Sequence, residues 1–227
     1  MKTCVISDMH GFLPEIDPCE LVLICGDSVD LRFQNHFKGC YKWYDKIFKP
    51  WAEALPCNKV LFIAGNHDCG IENHEETFEK LFPRDGKITF INHNLYEYMS
   101  LDGKAYSIFG SPYCKVFGNW AYMMEPETLK VLFDEIPRGL DILFTHDVPY
   151  GYADVIEQEV WWNTGEHIGN PQLVEAILDK QPRYHFSGHL HSCTHDLVMI
   201  NNTRHYNTSI KDERYQPVYK PLYIEIE

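Results

Sequence analysis

A chain of 227 residues can bury roughly 70% of its unfolded surface in one core and needs no staple to fold. Its formal charge of −13 argues against broad binding to a nucleic-acid backbone, which requires a basic face to release counterions. No apolar run approaches the ~18 residues of a membrane span, and Met1 to Ile6 passes straight into a strand pattern, so the expectation is a soluble cytoplasmic protein without a signal peptide.

The chain reads as one domain, residues 1 to 227, of alternating short apolar runs and helical patterns. A first strand over about residues 2 to 7 ends in Ser7-Asp8-Met9-His10, and a second, Leu21 to Cys25, ends in Gly26-Asp27-Ser28-Val29-Asp30. From Gly39 to Leu55, Tyr44, Ile47, Phe48, Trp51 and Leu55 repeat at helical spacing, which predicts one buried face and a stop at Pro56. The strand Val60 to Ala64 runs into Gly65-Asn66-His67-Asp68. Asn73 with Glu76 then reads as a capping box for a helix carrying Phe78, Leu81 and Phe82.

Three brief strand patterns between residues 88 and 109 suggest hairpins of a second sheet layer. An aromatic loop over 111 to 124 precedes a helix with Pro126 in its first turn. The strand Asp141 to Phe144 ends in Thr145-His146-Asp147, and a second aromatic loop leads to a helix capped by Asn170-Pro171. The strand around Arg183 to Phe186 ends in Gly188-His189-Leu190-His191, and closing strands fill residues 195 to 227 around a polar loop, Lys211 to Gln216.

Each polar cluster alone is an ordinary turn, but five strands ending this way are not explained by turns. Functional groups in layered α/β folds gather beyond the carboxyl ends of strands, so the clusters are expected to share one crevice. Together they offer Asp8, His10, Asp27, Asn66, His146, His189 and His191, an oxygen and nitrogen set without thiolate that suits Mn, Fe, Zn, Co or Ni better than Mg or Ca. These are too many ligands for one ion and enough for two. His189 and His191 sit two apart, and in an extended segment their bases would lie roughly 6 to 7 Å apart, a separation that serves neighbouring ions.

In order, the five blocks resemble the calcineurin-like metallophosphoesterase superfamily over nearly the whole chain. Ile63 to Asp68, Ile108 to Pro112 and Ile142 to Pro149 are similar to its small phosphodiesterase-like branch, which includes the animal metallophosphoesterase-domain proteins. The resemblance implies a four-layer αββα sandwich with two mixed sheets inside and helices outside. It implies two divalent ions, with Asp8, His10 and His191 on one, Asn66, His146 and His189 on the other, and Asp27 bridging. It further implies that His67 protonates the leaving group and that Asp30 orients His67. The protein phosphatases of the superfamily carry an arginine after the second aspartate of Gly-Asp-x-x-Asp, where this chain has Leu31, and that counts against their activity here.

The expected reaction is phosphodiester hydrolysis of a small substrate by a metal-bridging hydroxide, with His67 as general acid. A phosphomonoesterase, a nucleoside-polyphosphate hydrolase and a metal-binding scaffold of weak activity are the alternatives. Trp120, Tyr150 and Trp161 are candidates for stacking a nucleobase. The other reading of their loops is a lid, core or dimer face, which leaves a homo-oligomer open.

Overall fold

The computed structural model describes residues 1–156, 165–192 and 195–227. In chain order its first strands are β1 (Lys2–Ile6), β2 (Leu21–Cys25) and β3 (Lys59–Ile63), with the helices α1 (Phe37–Trp43) and α2 (Lys49–Ala54) between the last two. Then come α3 (Glu75–Leu81), β4 (Ile88–Phe90), β5 (Asn94–Met99), β6 (Ala105–Ser111), β7 (Cys114–Lys115), β8 (Met123–Met124) and α4 (Pro126–Asp134). The chain closes with β9 (Ile142–Thr145), α5 (Pro171–Lys180), β10 (Tyr184–Ser187), β11 (Val198–Ile200), β12 (Thr203–Asn207) and β13 (Leu222–Glu225).

Two mixed sheets result. One has the order β13-β1-β2-β3-β4, parallel except at β13, and the other β11-β12-β10-β9-β6-β5, parallel except at its edges β5 and β11. Alternation along the central strands divides the core, because successive side chains point to opposite faces. Leu61 and Ile63 of β3 meet Ile142 and Phe144 of β9 between the sheets, whereas Val60 and Phe62 face Tyr44, Phe48 and Phe78 on the helical side. Leu143 of β9 packs outward on Leu129, Phe133 and Leu173 of α4 and α5. Three apolar interfaces thus separate four layers, helix, sheet, sheet and helix. Each fully buried Phe or Leu contributes roughly 1.5 to 3 kcal/mol.

Three expectations need correction. The predicted helix from 39 to 55 is interrupted by a π turn, Tyr44–Phe48, and the wider turn leaves Ile47 46% exposed while Tyr44 and Phe48 are fully buried. Asn73 forms no capping box: it adopts φ 65°, its own N–H donates to Glu75 Oε1 (3.1 Å), and α3 starts after His74 without a side-chain cap. Of the three short strands, only β5 and β6 make a hairpin, and β4 instead joins β3 in parallel at the edge of the first sheet. The cap by Asn170 forms as expected, its Oδ1 accepting from Gln172 N–H and Leu173 N–H. All seven described cysteines are free, and no described helix is long and apolar enough to cross a membrane.

Behind the second sheet His185 and His205 are fully buried, Nδ1 to Nδ1 at 2.9 Å, and His185 Nε2 donates to Thr145 Oγ1 at 2.9 Å. Thr145 Oγ1 in turn donates to Asp147 O (2.8 Å), which fixes the turn that carries His146. Burial pushes both imidazoles down, His205 to about 4, so each stays neutral in the folded chain while its unfolded form protonates near pH 6.5. Protonation therefore favours unfolding: the stability is fully present above about pH 6.5 and is lost as pH falls from there toward 4. Each histidine contributes at most about 1.4 kcal/mol per pH unit in that window. Urea midpoints measured from pH 7 to 4.5 are expected to fall, less steeply in His205→Gln than in the parent.

Candidate metal centre

All five polar clusters follow central strands, at the carboxyl ends of β1, β2, β3, β9 and β10. The two sheets are tied together there. Ser7 N–H donates to Thr208 O (2.9 Å), Ile210 N–H donates to Ser7 O (3.1 Å), and His146 Nδ1–H reaches across to Cys25 O (2.8 Å). The turns are tight enough that Asp8, His10, Asp27 and His189 all adopt left-handed φ, 56°, 41°, 51° and 69°. Such conformations cost of order 1 kcal/mol or more for residues with a side chain, and they cluster where structure over-determines a site. Gly65 is required by packing: a Cβ there would strike Asp27 Oδ1 and approach His146 Cε1 to 2.6 Å. Gly188 is required likewise by Ser7 Oγ and Asp8 Oδ2.

The seven ligand-type side chains converge. Ligand atoms of Asp8, His10 and His191 lie within 4.8 Å of one another, as do those of Asp8, Asp27 and His146. His10 Nε2 is 3.4 Å from His191 Nε2, and His191 Nε2 is 3.3 Å from Asp8 Oδ1. Asn66 Oδ1 sits 2.9 Å from His146 Nε2 and 2.8 Å from His189 Nδ1. Asp27 Oδ2 lies between the two groups, 3.8 Å from His10 Nε2 and 3.4 Å from His146 Nε2. The segment from Gly188 to His191 is not extended: Leu190 N–H bonds Gly188 O (2.8 Å) and His189 is left-handed, so its two imidazoles reach separate groups by a turn rather than by strand alternation.

The donor set fits divalent cations. His191 spends its Nδ1–H on Asp212 O (3.0 Å) and His146 spends its own on Cys25 O, so in both rings Nε2 is the nitrogen turned inward. Burial holds His10 down to about 3 and His189 to about 4, keeping both as neutral lone-pair donors. Burial alone raises the carboxyls of Asp8 and Asp27. The His191 hydrogen bond at Asp8 and the His146 charge at Asp27 outweigh it, and both stay below the ordinary carboxylate range. His146 is pulled down by burial and more strongly up by Asp27, to about 10, so the pocket at its Nε2 favours a positive charge. Nitrogen and oxygen lone pairs this close together, with two carboxylates among them, are the ligand chemistry of Mn, Fe, Co, Ni or Zn.

His67 stands beside this set. Its N–H donates to Asp27 Oδ1 (2.7 Å), its ring meets His10 edge-on (4.9 Å between centroids), and its Nδ1 lies 2.6 Å from Gln34 Oε1. Asp30, the expected orienting group, is bound instead by Arg32 Nε (2.9 Å) and Nη2 (2.6 Å). Asp68 and Asp147 serve the scaffold. Asp68 accepts from Gly65 N–H, Val29 N–H and the Tyr44 hydroxyl, and Asp147 accepts from Lys115 N–H, Val148 N–H and Asn170 Nδ2.

A cavity of about 480 Å³ opens over the centre. Trp120 lines it, with its ring 4.5 Å from that of His67. Tyr150 does not line it: the ring packs 5.6 Å from His167, which is held by the buried Asp154 carboxylate (2.6 Å). Trp161 lies outside the described residues. Gln34 at His67, and Lys115, Glu213 and Tyr215 in the cavity wall, are not among the residues expected from the motifs. Tyr215 packs edge-on to His10 (4.9 Å) and His191 (5.3 Å) from a loop that shows only polarity in sequence, and nothing in the spacing of the motifs points to Gln34.

A family profile described as calcineurin-like phosphoesterase matches residues 1–193. The human metallophosphoesterase domain-containing protein 1 is 26% identical over 245 aligned positions, covering 97% of this chain and 69% of that protein. A UPF0046 protein of Caenorhabditis elegans is also 26% identical, over 97% of this chain and 79% of its own length. Among solved structures, the phosphopantetheinyl hydrolase of Mycobacterium tuberculosis superposes with a TM-score of 0.62 at 12% identity, covering 100% of this chain and 96% of that one. A purple acid phosphatase of yellow lupin gives 0.50 at 14% identity, over 99% of this chain and 47% of its own. At these identities the structural likeness is one of fold.

Proposed function

We propose, because the chain belongs to the calcineurin-like phosphoesterase family, that it is a metal-dependent phosphoester hydrolase with a preference for phosphodiesters. The observation that carries this reading is the convergence of seven ligand-type side chains from five strand ends, with one imidazole, His67, left outside the set. We take residues 1 to 227 as one catalytic domain, since β13 pairs with β1 and completes the first sheet.

Asp8, His10 and His191 would hold one divalent ion and Asn66, His146 and His189 the other, with Asp27 between the two groups. When bound, two such ions supply water made nucleophilic at neutral pH and an electrophilic clamp on the phosphoryl oxygens. The protein's part is to fix these ligands rigidly and to carry a proton to the departing oxygen. Gln34 Oε1 holds the Nδ1–H of His67, so the transferred proton leaves from Nε2. Gln34 thereby takes the orienting place that the resemblance implies for Asp30. The diester preference rests on the scarcity of cations for a dianionic monoester: Lys115 is the one Lys or Arg lining the cavity among the described residues, and Arg32 is tied to Asp30 at the surface.

Protein loaded with Mn is expected to cleave bis(4-nitrophenyl) phosphate with a higher kcat/KM than 4-nitrophenyl phosphate. Faster cleavage of the monoester would move the assignment to a phosphomonoesterase, and hydrolysis of neither would leave a binding scaffold.

A further inference from the structure

We infer that Lys115, Phe117 and Trp120 form a leaving-group subsite, and that the substrate is a phosphodiester whose leaving alcohol carries a flat apolar body and a second anionic group. The inference rests on the diesterase reading of the adjoining centre. The segment running from β7 to β8, which carries these residues, is fastened to the ligand scaffold at both ends. Lys115 N–H donates to Asp147 Oδ2 (2.8 Å), next to His146, and Ala121 N–H donates to the carbonyl of Asn66 (3.2 Å). Cys114 N–H closes the loop on Tyr122 O (2.9 Å). Side chains on such a loop are held in register with the reacting groups before any ligand arrives.

The loop presents apolar rings where a leaving group departs. Trp120 lies 4.5 Å from His67, tilted by 41°, and Phe117 lies 5.1 Å from His189. Both keep considerable exposure, 37% and 52%, although they line a cavity and have apolar faces to cover. Gly118 leaves the indole its place, since a Cβ there would come within 3.2 Å of Trp120 Cδ1 and Nε1.

Lys115 supplies the charge. It is half-buried in the cavity wall, and among the described residues no carboxylate pairs with its ammonium. In a chain of net charge −13, a cation in this wall that no described carboxylate pairs attracts an anion. The scissile phosphate is already matched by the metal positions and His67, so the ammonium is left for a second anionic group on the leaving alcohol.

The test compares methyl 4-nitrophenyl phosphate with methyl 3-carboxy-4-nitrophenyl phosphate, using the whole Mn-loaded chain. The parent is expected to prefer the carboxylated ester by about tenfold in kcat/KM, the size of one charge-assisted contact. Lys115→Met should erase that preference while holding the plain ester within about twofold, which also shows that the variant folds, and Lys115→Arg should retain it. Equal losses on both esters would place Lys115 on the scissile phosphate and overturn the subsite. So would a parent with no preference. Cleavage of neither ester by the parent would instead overturn the diesterase reading, and the subsite with it.

Discussion

His67→Ala is expected to lower turnover of an alkyl phosphodiester by about 10²- to 10⁴-fold, the usual contribution of a positioned acid, with bound metal unchanged. The ring meets the candidate ligands only edge-on at His10, 4.9 Å between centroids, and the residue's hydrogen bond to the set is its backbone N–H to Asp27 Oδ1, which alanine keeps. The size of the effect should depend on the leaving group. A 4-nitrophenolate leaves without a proton, so on that ester the loss should shrink to about tenfold or less, whereas an alkoxide needs the proton and shows the full loss. Parallel kinetics on the two esters separate an acid from a residue that merely shapes the pocket. Gln34→Leu should reproduce a weaker version of the same pattern, because it frees Nδ1 without removing Nε2.

Asp27→Ala is expected to be more damaging, on the order of 10³-fold or beyond, and to act through the metals. Its Oδ2 stands 3.8 Å from His10 Nε2 and 3.4 Å from His146 Nε2, and its Oδ1 holds the backbone of His67, so one truncation disturbs both cation positions and the acid. It also leaves the buried His146 without the charge that lifts it. Asp27→Asn keeps an acceptor for His67 N–H but removes the anion, and should likewise lose metal. Kinetics with titrated Mn distinguish the two losses: excess metal should restore part of the activity of Asp27→Asn and none of that of His67→Ala.

How much of this was legible in the sequence depends on whether the information is local. Strands whose both faces are buried, such as Leu21 to Cys25 and Lys59 to Ile63, read directly as short apolar runs, and the polar turns after them marked the side chains that converge at the candidate centre. The helix around Tyr44 was legible in type but not in the phase of its face, because a π turn shifts the periodicity that exposes Ile47. Sheet membership was hidden for β4, whose partner β3 is chosen by a crossover that its own three residues do not encode. The same holds at the centre. The candidate ligands sit in motifs, each beside its own strand, whereas Gln34 and Tyr215 arrive from loops and Lys115 from the two-residue strand β7, placed by long-range bonds such as Lys115 N–H to Asp147 and His191 Nδ1–H to Asp212. Tyr150 shows the converse failure: an aromatic in a loop that follows a ligand motif, packed on His167 rather than over the cavity.

The central claim is that the ligand set and the acid are separate devices in one crevice. Elemental mass spectrometry of the parent, His67→Ala and Asp27→Ala, each dialysed after loading with Mn, tests it most directly. Two ions per chain are expected in the parent, two in His67→Ala and fewer than one in Asp27→Ala. A parent without bound metal, or a His67→Ala protein that loses as much metal as Asp27→Ala, would contradict it.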